Sequence, residues 1–314
     1  MATTFNSMVQ NQDLRLDKII SQEIRILLKD STNLRNTPFI DYCGSINGTG
    51  SDTIRVRKAG LDDGDFTAFT GGTEANPVSD STISDGGVDI VVKRQALAYA
   101  LSDLGGMTEL AGAVNGIDPF RIAESISNSY DKLFADLTGA TVASFSTIMG
   151  QSGFANTVAH FIDAVQALES AASGVGAPGP YVALLHPKQF ADIQDSILAQ
   201  TTGILQFVQP SYEAISAKGS HYKGSFLGVD IYTSSHVTND GVDHIGAFFA
   251  PGALGYANGM PSALPGAVQT MDMGEVLIEM DREADKALTR IVGHCYLGMS
   301  IIDDNRGVAF KGAI

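Results

Sequence analysis

The spacing of hydrophobic residues changes several times along the chain, and each change predicts a different element. Between 13 and 29, Leu16, Ile19, Ile20, Ile24, Leu27 and Leu28 fall on one face of a helix, with charges opposite. A short polar arm precedes it. After Pro38 come the stretch GSINGTG and then a strict alternation from Thr53 to Arg57, which predicts a strand. Val88 to Leu101 predicts a second strand. Between the two runs, from 60 to 87, lies GLDDGDFTAFTGGTEANPVSDSTISDGG, too polar and glycine-rich to build a core of its own. Strand, insert and strand together predict one long hairpin.

Asp118-Pro119 then opens the longest predicted element. Asp118 suits the cap, Pro119 the first helical position, and Ile117 can pack on Ile122 as a staple. Phe120, Ala123, Ile126, Tyr130, Leu133, Phe134 and Leu137 keep helical spacing to about Ser144, a rod of roughly 35–40 Å. Gly139 interrupts it, at a cost of about 1 kcal/mol. From 150 the texture becomes mixed. A helix over Val158–Leu168 is followed by a short buried strand, Tyr181–Leu185, and Pro187 opens another helix. Strands at Val229–Tyr232 and Ile245–Phe249 are joined through the turn signal Asn239-Asp240-Gly241. The last fifty residues return to long strands. Val276, Ile278 and Met280 oppose Glu275, Glu279 and Asp281. Ile291, Cys295, Leu297, Met299 and Ile301 oppose Arg290, His294, Tyr296 and Ser300. Asp303-Asp304-Asn305 turns the chain into a final strand, Gly307–Phe310.

Composition narrows what such a chain does. It has 314 residues, 44% of them hydrophobic, so a sizeable core is within reach. No apolar run approaches the roughly 20 residues that span a bilayer, and MATTFNSMVQNQD has neither the basic patch nor the apolar segment of a signal peptide. A soluble protein made in a cytoplasm is expected. The two cysteines, Cys43 and Cys295, suggest neither a disulfide framework nor a zinc site. A formal net charge of −15 disfavours phosphate-driven nucleic-acid binding and anionic membranes, yet suits a protein that sits near nucleic acid without adhering to it.

Candidate chemistry is sparse. The best metal-like group is His236, Asp240, Asp243 and His244, which also reads as a solvated hairpin turn. Asp62, Asp63 and Asp65 suggest calcium, but their spacing fails the EF-hand loop. There is no GxSxG elbow and no Walker lysine. Glu275, Glu279 and Asp281 suggest a carboxylate pair, although their period of two reads more simply as the exposed face of a strand. Catalytic residues, metal and cofactor are therefore all expected to be absent, and the chain is not expected to be an enzyme.

The order of parts resembles the major capsid protein of tailed bacteriophages, a fold shared with encapsulins and the floor domain of herpesvirus capsids. Four stretches carry the likeness. Ala98 to Asp103 followed by DPFRIAESISNSYDKLFADL resembles the entry to that family's spine helix. YVALLHPKQFADI (181–193) resembles its strand-proline-helix segment, and YLGMSIIDDNRGVAF (296–310) its terminal strand pair. FLGVDIYTSSHV (226–237) resembles a strand of its axial domain, with Asp230 where many members carry a proline-containing variant. The resemblance implies an α+β fold: an N-terminal arm and helix (1–52), an extended hairpin or E-loop (53–98), and a peripheral domain (99–149) with its spine helix at 118–144. An axial domain (150–264) and closing peripheral strands (265–314) follow. It further implies self-assembly into hexamers and pentamers of an icosahedral shell around double-stranded DNA. The shell would be a virion capsid built in the host cytoplasm. A scaffolding protein, a portal and a decoration protein would be partners, with no membrane and no sequence-specific DNA contact. Alternatives are an encapsulin-like cellular shell, an acidic hydrolase and a calcium-dependent adhesive module.

The hairpin is the expected site of assembly. Its acidic tip holds Asp62, Asp63, Asp65, Glu74 and Asp80 with Phe66, Phe69 and Val78, while Arg55, Arg57, Lys58, Lys93 and Arg94 stand at its feet. Two arms of about 15 residues extend roughly 50 Å, and so long a hairpin is marginal alone. Docking on a neighbour would bury the apolar tip residues, at about 1.5–3 kcal/mol for each large side chain fully buried. Tip and feet are too far apart to pair within one subunit but suit pairing between subunits, with charge setting register and apolar contact supplying affinity. No lysine lies between Lys58 and Lys93, so covalent cross-linking through this loop, which some members use, is not expected.

Overall fold

The computed structural model describes residues 40–61, 83–102, 119–170, 176–199, 207–219, 221–259, 270–272 and 276–314. The helix expected over 13–29 and the capping residue Asp118 lie outside them. Within the described residues, strands form two large sheets and one separate pair.

The eight-stranded sheet has the order β5 (Ile148–Gly150), β16 (Gly307–Ala313), β11 (Asp243–Phe249), β6 (Tyr181–Leu185), β9 (Val229–Thr233), β8 (Tyr222–Phe226) and β7 (Phe207–Val208). β10 (Thr238–Asn239) adds to β11. The central strands read as continuous apolar runs because both faces are covered, and every residue of β11 is buried. On one face lie α2 (Val158–Glu169) and α3 (Pro187–Leu198), whose Phe161, Leu168 and Ile193 meet Phe226, Phe248 and Phe310 of the sheet. Phe161 stands edge-on to Phe226 and Phe248 at ring distances of 5.0 and 4.8 Å. Thr157 starts α2 by accepting the His160 N–H, and Pro187 takes the first helical position of α3.

The six-stranded sheet has the order β1 (Ile40–Ser45), β12 (Leu254–Gly259), β15 (Leu288–Ile301), β14 (Val276–Glu283) and β13 (Thr270–Asp272), and β4 (Lys93–Ser102) also pairs with β15. The long helix α1 (Pro119–Val142) joins the two sheets. Tyr130, Phe134, Thr138 and Val142 recur every four residues and are all buried. Phe134 and Val142 pack with Val182, Leu184 and Phe249 of one sheet and with Leu254, Tyr256 and Leu297 of the other. Gly139, a weak helix former, has a reason to stand in this helix. A Cβ there would lie 2.5 Å from the His236 carbonyl oxygen, so any larger residue would push α1 off the segment leading into β10.

Two runs fold differently from the sequence expectation. Val88 to Leu101 is not one strand. β3 (Ile83–Val91) pairs with β2 (Thr53–Leu61), while β4, beginning at Lys93, pairs with β15. The chain corners at Val92, whose N–H donates to the Asp52 carbonyl at 2.9 Å. The corner shifts the phase of the alternation: Ile90 and Val92 face inward before it and Gln95, Leu97 and Tyr99 after it, with Lys93 and Arg94 both exposed between. Such a one-residue slip is easily read as one continuous strand. Residues 265–314 likewise divide between the sheets: β14 and β15 lie in the six-stranded sheet, but β16 pairs with β11 and β5 in the eight-stranded one. The 3₁₀ turn Asp304–Arg306 redirects the chain between them. Conversely, β12 leaves the region of the eight-stranded sheet to pair with β1 and β15.

Candidate assembly surface

β2 and β3 form a two-stranded sheet of nine paired positions, from Thr53 opposite Val91 to Leu61 opposite Ile83, with no break in register. Nine residues span about 30 Å. Its root is anchored: Ile90 and Val92 are buried with Ala257, and Ile54, Val56, Cys43, Ile46 and Tyr296 pack around them. Gly298 of β15 makes the approach possible, since a Cβ there would lie 2.3 Å from the Val91 carbonyl oxygen. Beyond the root the pair has no third strand among the described residues, none of which pairs with its outer edges.

The structure separates the basic feet into two groups. Arg55 and Arg57 lie on β2 and are exposed; Lys58 is also on β2, opposite Gly86. Lys93 and Arg94 are not part of this hairpin but begin β4, opposite Leu297 and Tyr296. Arg55 faces Asp89 across the pair at 3.9 Å, with both side chains more than half exposed, a contact worth about 0–1 kcal/mol. Arg94 lies 3.2 Å from Nδ1 of His294, a buried residue that the alternation of β15 assigns to the polar face. Asp89 and His294 are thus partners that sequence reasoning did not assign. Asp62, Asp63, Asp65, Phe66, Phe69, Glu74, Val78 and Asp80 lie outside the described residues.

The other candidate groups disperse. Asp240 accepts the N–H groups of Asp243 and Val242 at 2.7 and 3.0 Å, which hold its carboxyl below the usual range. Asp243 accepts the Gly153 N–H at 2.8 Å, His236 pairs with Asp136 at 3.2 Å, and His244 stacks on His186. Among the described residues no group of three histidines, cysteines or acidic residues is placed to hold a metal. Glu279 and Asp281 stand on β14 opposite Val292 and Arg290, and Glu275 lies outside the described residues. A cavity of about 200 Å³ between α1, β4, β14 and β15 is lined by Leu97, Tyr130, Leu133, Val276, His294 and Cys295. Burial pushes the Cys295 thiol up to about 11, the reverse of an activated nucleophile. No helix among the described residues is long and apolar enough to cross a membrane.

Sequence reasoning also missed two exposed apolar groups at opposite ends of the eight-stranded sheet. At the β7 end, Leu198 and Tyr212 are 83% and 87% exposed, and Val208 and Leu227 are exposed as well. Tyr212 opens the short helix α4 (Tyr212–Lys218). At the other end Phe154 and Val242 are exposed on either side of the chain end: their carbonyls accept the N–H groups of Ala313 and Ile314, and Ile314 is exposed between them. Only their isolation from any periodic run marks them in the sequence.

A two-stranded arm rooted on a body of two sheets, with a long helix through their shared core, defines a class: the subunit fold of tailed-phage major capsids and encapsulins. Solved structures show that fold. The capsid protein of Myoviridae phage XM1 is 10% identical, with a TM-score of 0.60 over 90% of this chain and 92% of that one. The capsid of a native GTA particle is 12% identical, with a TM-score of 0.57 over 91% of each chain. An encapsulin from Synechococcus elongatus is 13% identical, with a TM-score of 0.55 over 83% of this chain and 81% of that one. No protein-family model matches the sequence, and no curated protein matches it. The expected α+β capsid fold is therefore the observed one.

Proposed function

We propose that this protein is a major capsid protein whose activity is self-assembly into the hexamers and pentamers of an icosahedral shell around the double-stranded DNA of a tailed phage. One observation carries the reading: an arm of two strands stands on the fold that phage capsids share, rooted firmly but left without a third strand among the described residues. In this reading β2, β3 and the residues between them reach a neighbouring subunit. Residues 53–91, rather than 53–98, form that E-loop, because β4 is held in the body. α1 serves as the spine helix, and the eight-stranded sheet serves as the axial domain. Its two exposed apolar ends suit contact with further copies around a symmetry axis. The net charge of −15 suits a shell lining that packaged DNA does not adhere to. A scaffolding protein and a portal are the partners proposed for such a shell, with a decoration protein as a further, optional one, and the virion is its location. The subunit does no catalysis in this role.

Removing 62–82 and joining Leu61 to Ile83 by Asn-Gly tests this directly, since those two residues are already paired and a two-residue turn closes such a hairpin. The shortened subunit is expected to keep its circular dichroism and thermal midpoint yet form no closed shells by electron microscopy. Normal shells from it would refute the docking role. An encapsulin-like shell is the second reading, favoured by the likeness to the Synechococcus elongatus encapsulin. Shells produced in a host with the phage packaging proteins separate the two: a genome container protects DNA from nuclease, and a cellular compartment retains a protein cargo.

A further inference from the structure

At the start of α3 two imidazoles lie face to face. The rings of His186 and His244 are 3.5 Å apart at their centres, with planes inclined by 15°. His186 caps the helix: its Nδ1 accepts the Lys188 N–H at 3.2 Å, and its backbone N–H donates to Oε1 of Gln189 at 3.0 Å. Gln189, fully buried, donates through Nε2 to the carbonyls of His244 and Phe310 at 2.9 and 3.0 Å. The first turn of α3 is thereby tied to β11 and β16. His244 is itself buried, and its Nδ1 has no hydrogen-bond partner.

An imidazole nitrogen that accepts an N–H carries no proton, so neutral His186 holds its proton on Nε2. A second proton must go to Nδ1, where it turns the capping acceptor into a donor facing a donor. On His244 it places a charge in a buried site, stacked against the other ring. Among the described residues no carboxylate forms an ion pair with either ring. Asp192 and Asp243, the nearest acids on α3 and β11 in sequence, are engaged through Oδ1, while their Oδ2 atoms are buried without a partner. On α3, Lys188 and Asp192 pair with each other. From α2 comes another imidazole, His160, whose Nδ1 is also buried without a partner. On β11, Asp243 alternates to the opposite face and is engaged by Gly153. On β16, Lys311 also alternates away and pairs with Asp240 at 3.4 Å, while β10 places uncharged Asn239 opposite His244. Burial holds both histidines below the ordinary 6.5, and for His186 the neighbouring imidazole adds to it.

We propose that the His186–His244 stack is an acid-released latch, which fastens the first turn of α3 to β11 and β16 while both rings are neutral and frees it when they gain protons. The sign follows from linkage. Groups whose pKa is lowered in the closed state bind protons more readily once opened. The latch is therefore complete above the ordinary imidazole pKa of 6.5 and weakens as pH falls below it. α3 also packs on β7, with the Phe190 and Phe207 rings 5.8 Å apart, and ends at exposed Leu198. Release would reach that apolar edge whether or not the edge is an assembly surface.

Hydrogen exchange of the full-length protein at pH 7.5 and 5.5, corrected for intrinsic rates, tests the latch. Over 188–193 protection is expected to fall about tenfold if opening takes up one proton and about a hundredfold if it takes up two. The buried half of α1 should stay unchanged. Equal protection of α3 at both pH values in the wild type overturns the proposal and needs no variant. His186→Asn keeps a capping side chain without a titrating ring, and His244→Phe keeps a stacked ring. The two together should flatten the difference; an undiminished pH response in that double variant, or in His186→Asn alone should the pair not fold, also overturns it.

Discussion

Strands β11 and β3 are both short runs with alternating side chains, yet the molecule uses them in opposite ways. β11 has hydrogen-bonded neighbours on both edges, two helices on one face and the α1 core on the other, and every residue of it is buried. Among the described residues β3 pairs only with β2, and of its described side chains only Ile90 is fully buried. The stability of the first is supplied within the chain. That of the second ends at its root, because a two-stranded sheet without a covered face is marginal in water. Local strand chemistry therefore does not distinguish a core strand from a projecting arm; what lies across each face does.

The sharpest contrast comes from truncating one large side chain in each region. Phe248 is fully buried and stands edge-on to Phe161 and Phe310 at 4.8 and 5.0 Å. Phe248→Ala is expected to cost about 3–5 kcal/mol in a urea titration of the subunit. Val88→Ala on the half-buried middle of the arm should cost about 1 kcal/mol or less. Equal losses would show that the arm is as much part of the folding unit as the eight-stranded sheet. At the junction, Gly298→Val places methyl groups against the Val91 carbonyl, so it should cost about 1–3 kcal/mol by overpacking. It should also displace the root of the arm, and shell yield by sedimentation should fall further than subunit stability alone explains. A variant that loses stability but assembles in proportion would remove Gly298 as the anchor of arm direction.

Much of the body is legible in the sequence for physical reasons. α1 shows because a stripe repeating every four residues has one meaning, and α3 because proline at its first position follows a buried run. What is not legible concerns partners. Val92 continues the alternation of β3 while handing the chain to a different sheet. β16 resembles β15 in texture, yet the turn at Asp304–Arg306 carries it across to β11. In the sequence the basic feet form one cluster because Arg57 and Lys93 flank the same loop; the corner at Val92 assigns them to different sheets. Gly139 counts in the sequence only as a cost to a helix, and its value as a gap for the His236 carbonyl exists only in three dimensions. The same holds for Asp89, which alternation marks as exposed but does not pair with Arg55.

That pair gives the smallest expected effect on folding and the most specific test of how the arm is used. Arg55 and Asp89 are 3.9 Å apart, with side chains 64% and 55% exposed, so water and salt screen most of their attraction. Arg55→Glu with Arg57→Glu should therefore change subunit stability by no more than about 1 kcal/mol, even though a carboxylate then faces Asp89 across the pair. In the proposed docking of the arm the same two arginines would face a neighbouring subunit, and the chain as a whole is acidic. Reversing them adds repulsion at every copy of the contact. Assembly measured by light scattering should fall most at low ionic strength, where the screening length is about 30 Å at 0.01 M, and recover as salt shortens it to about 8 Å at 0.15 M. The wild-type subunit should show the opposite slope or none. If the variant and the wild type respond identically across that range, Arg55 and Arg57 take no part in register, and apolar contact and strand edges alone hold the arm.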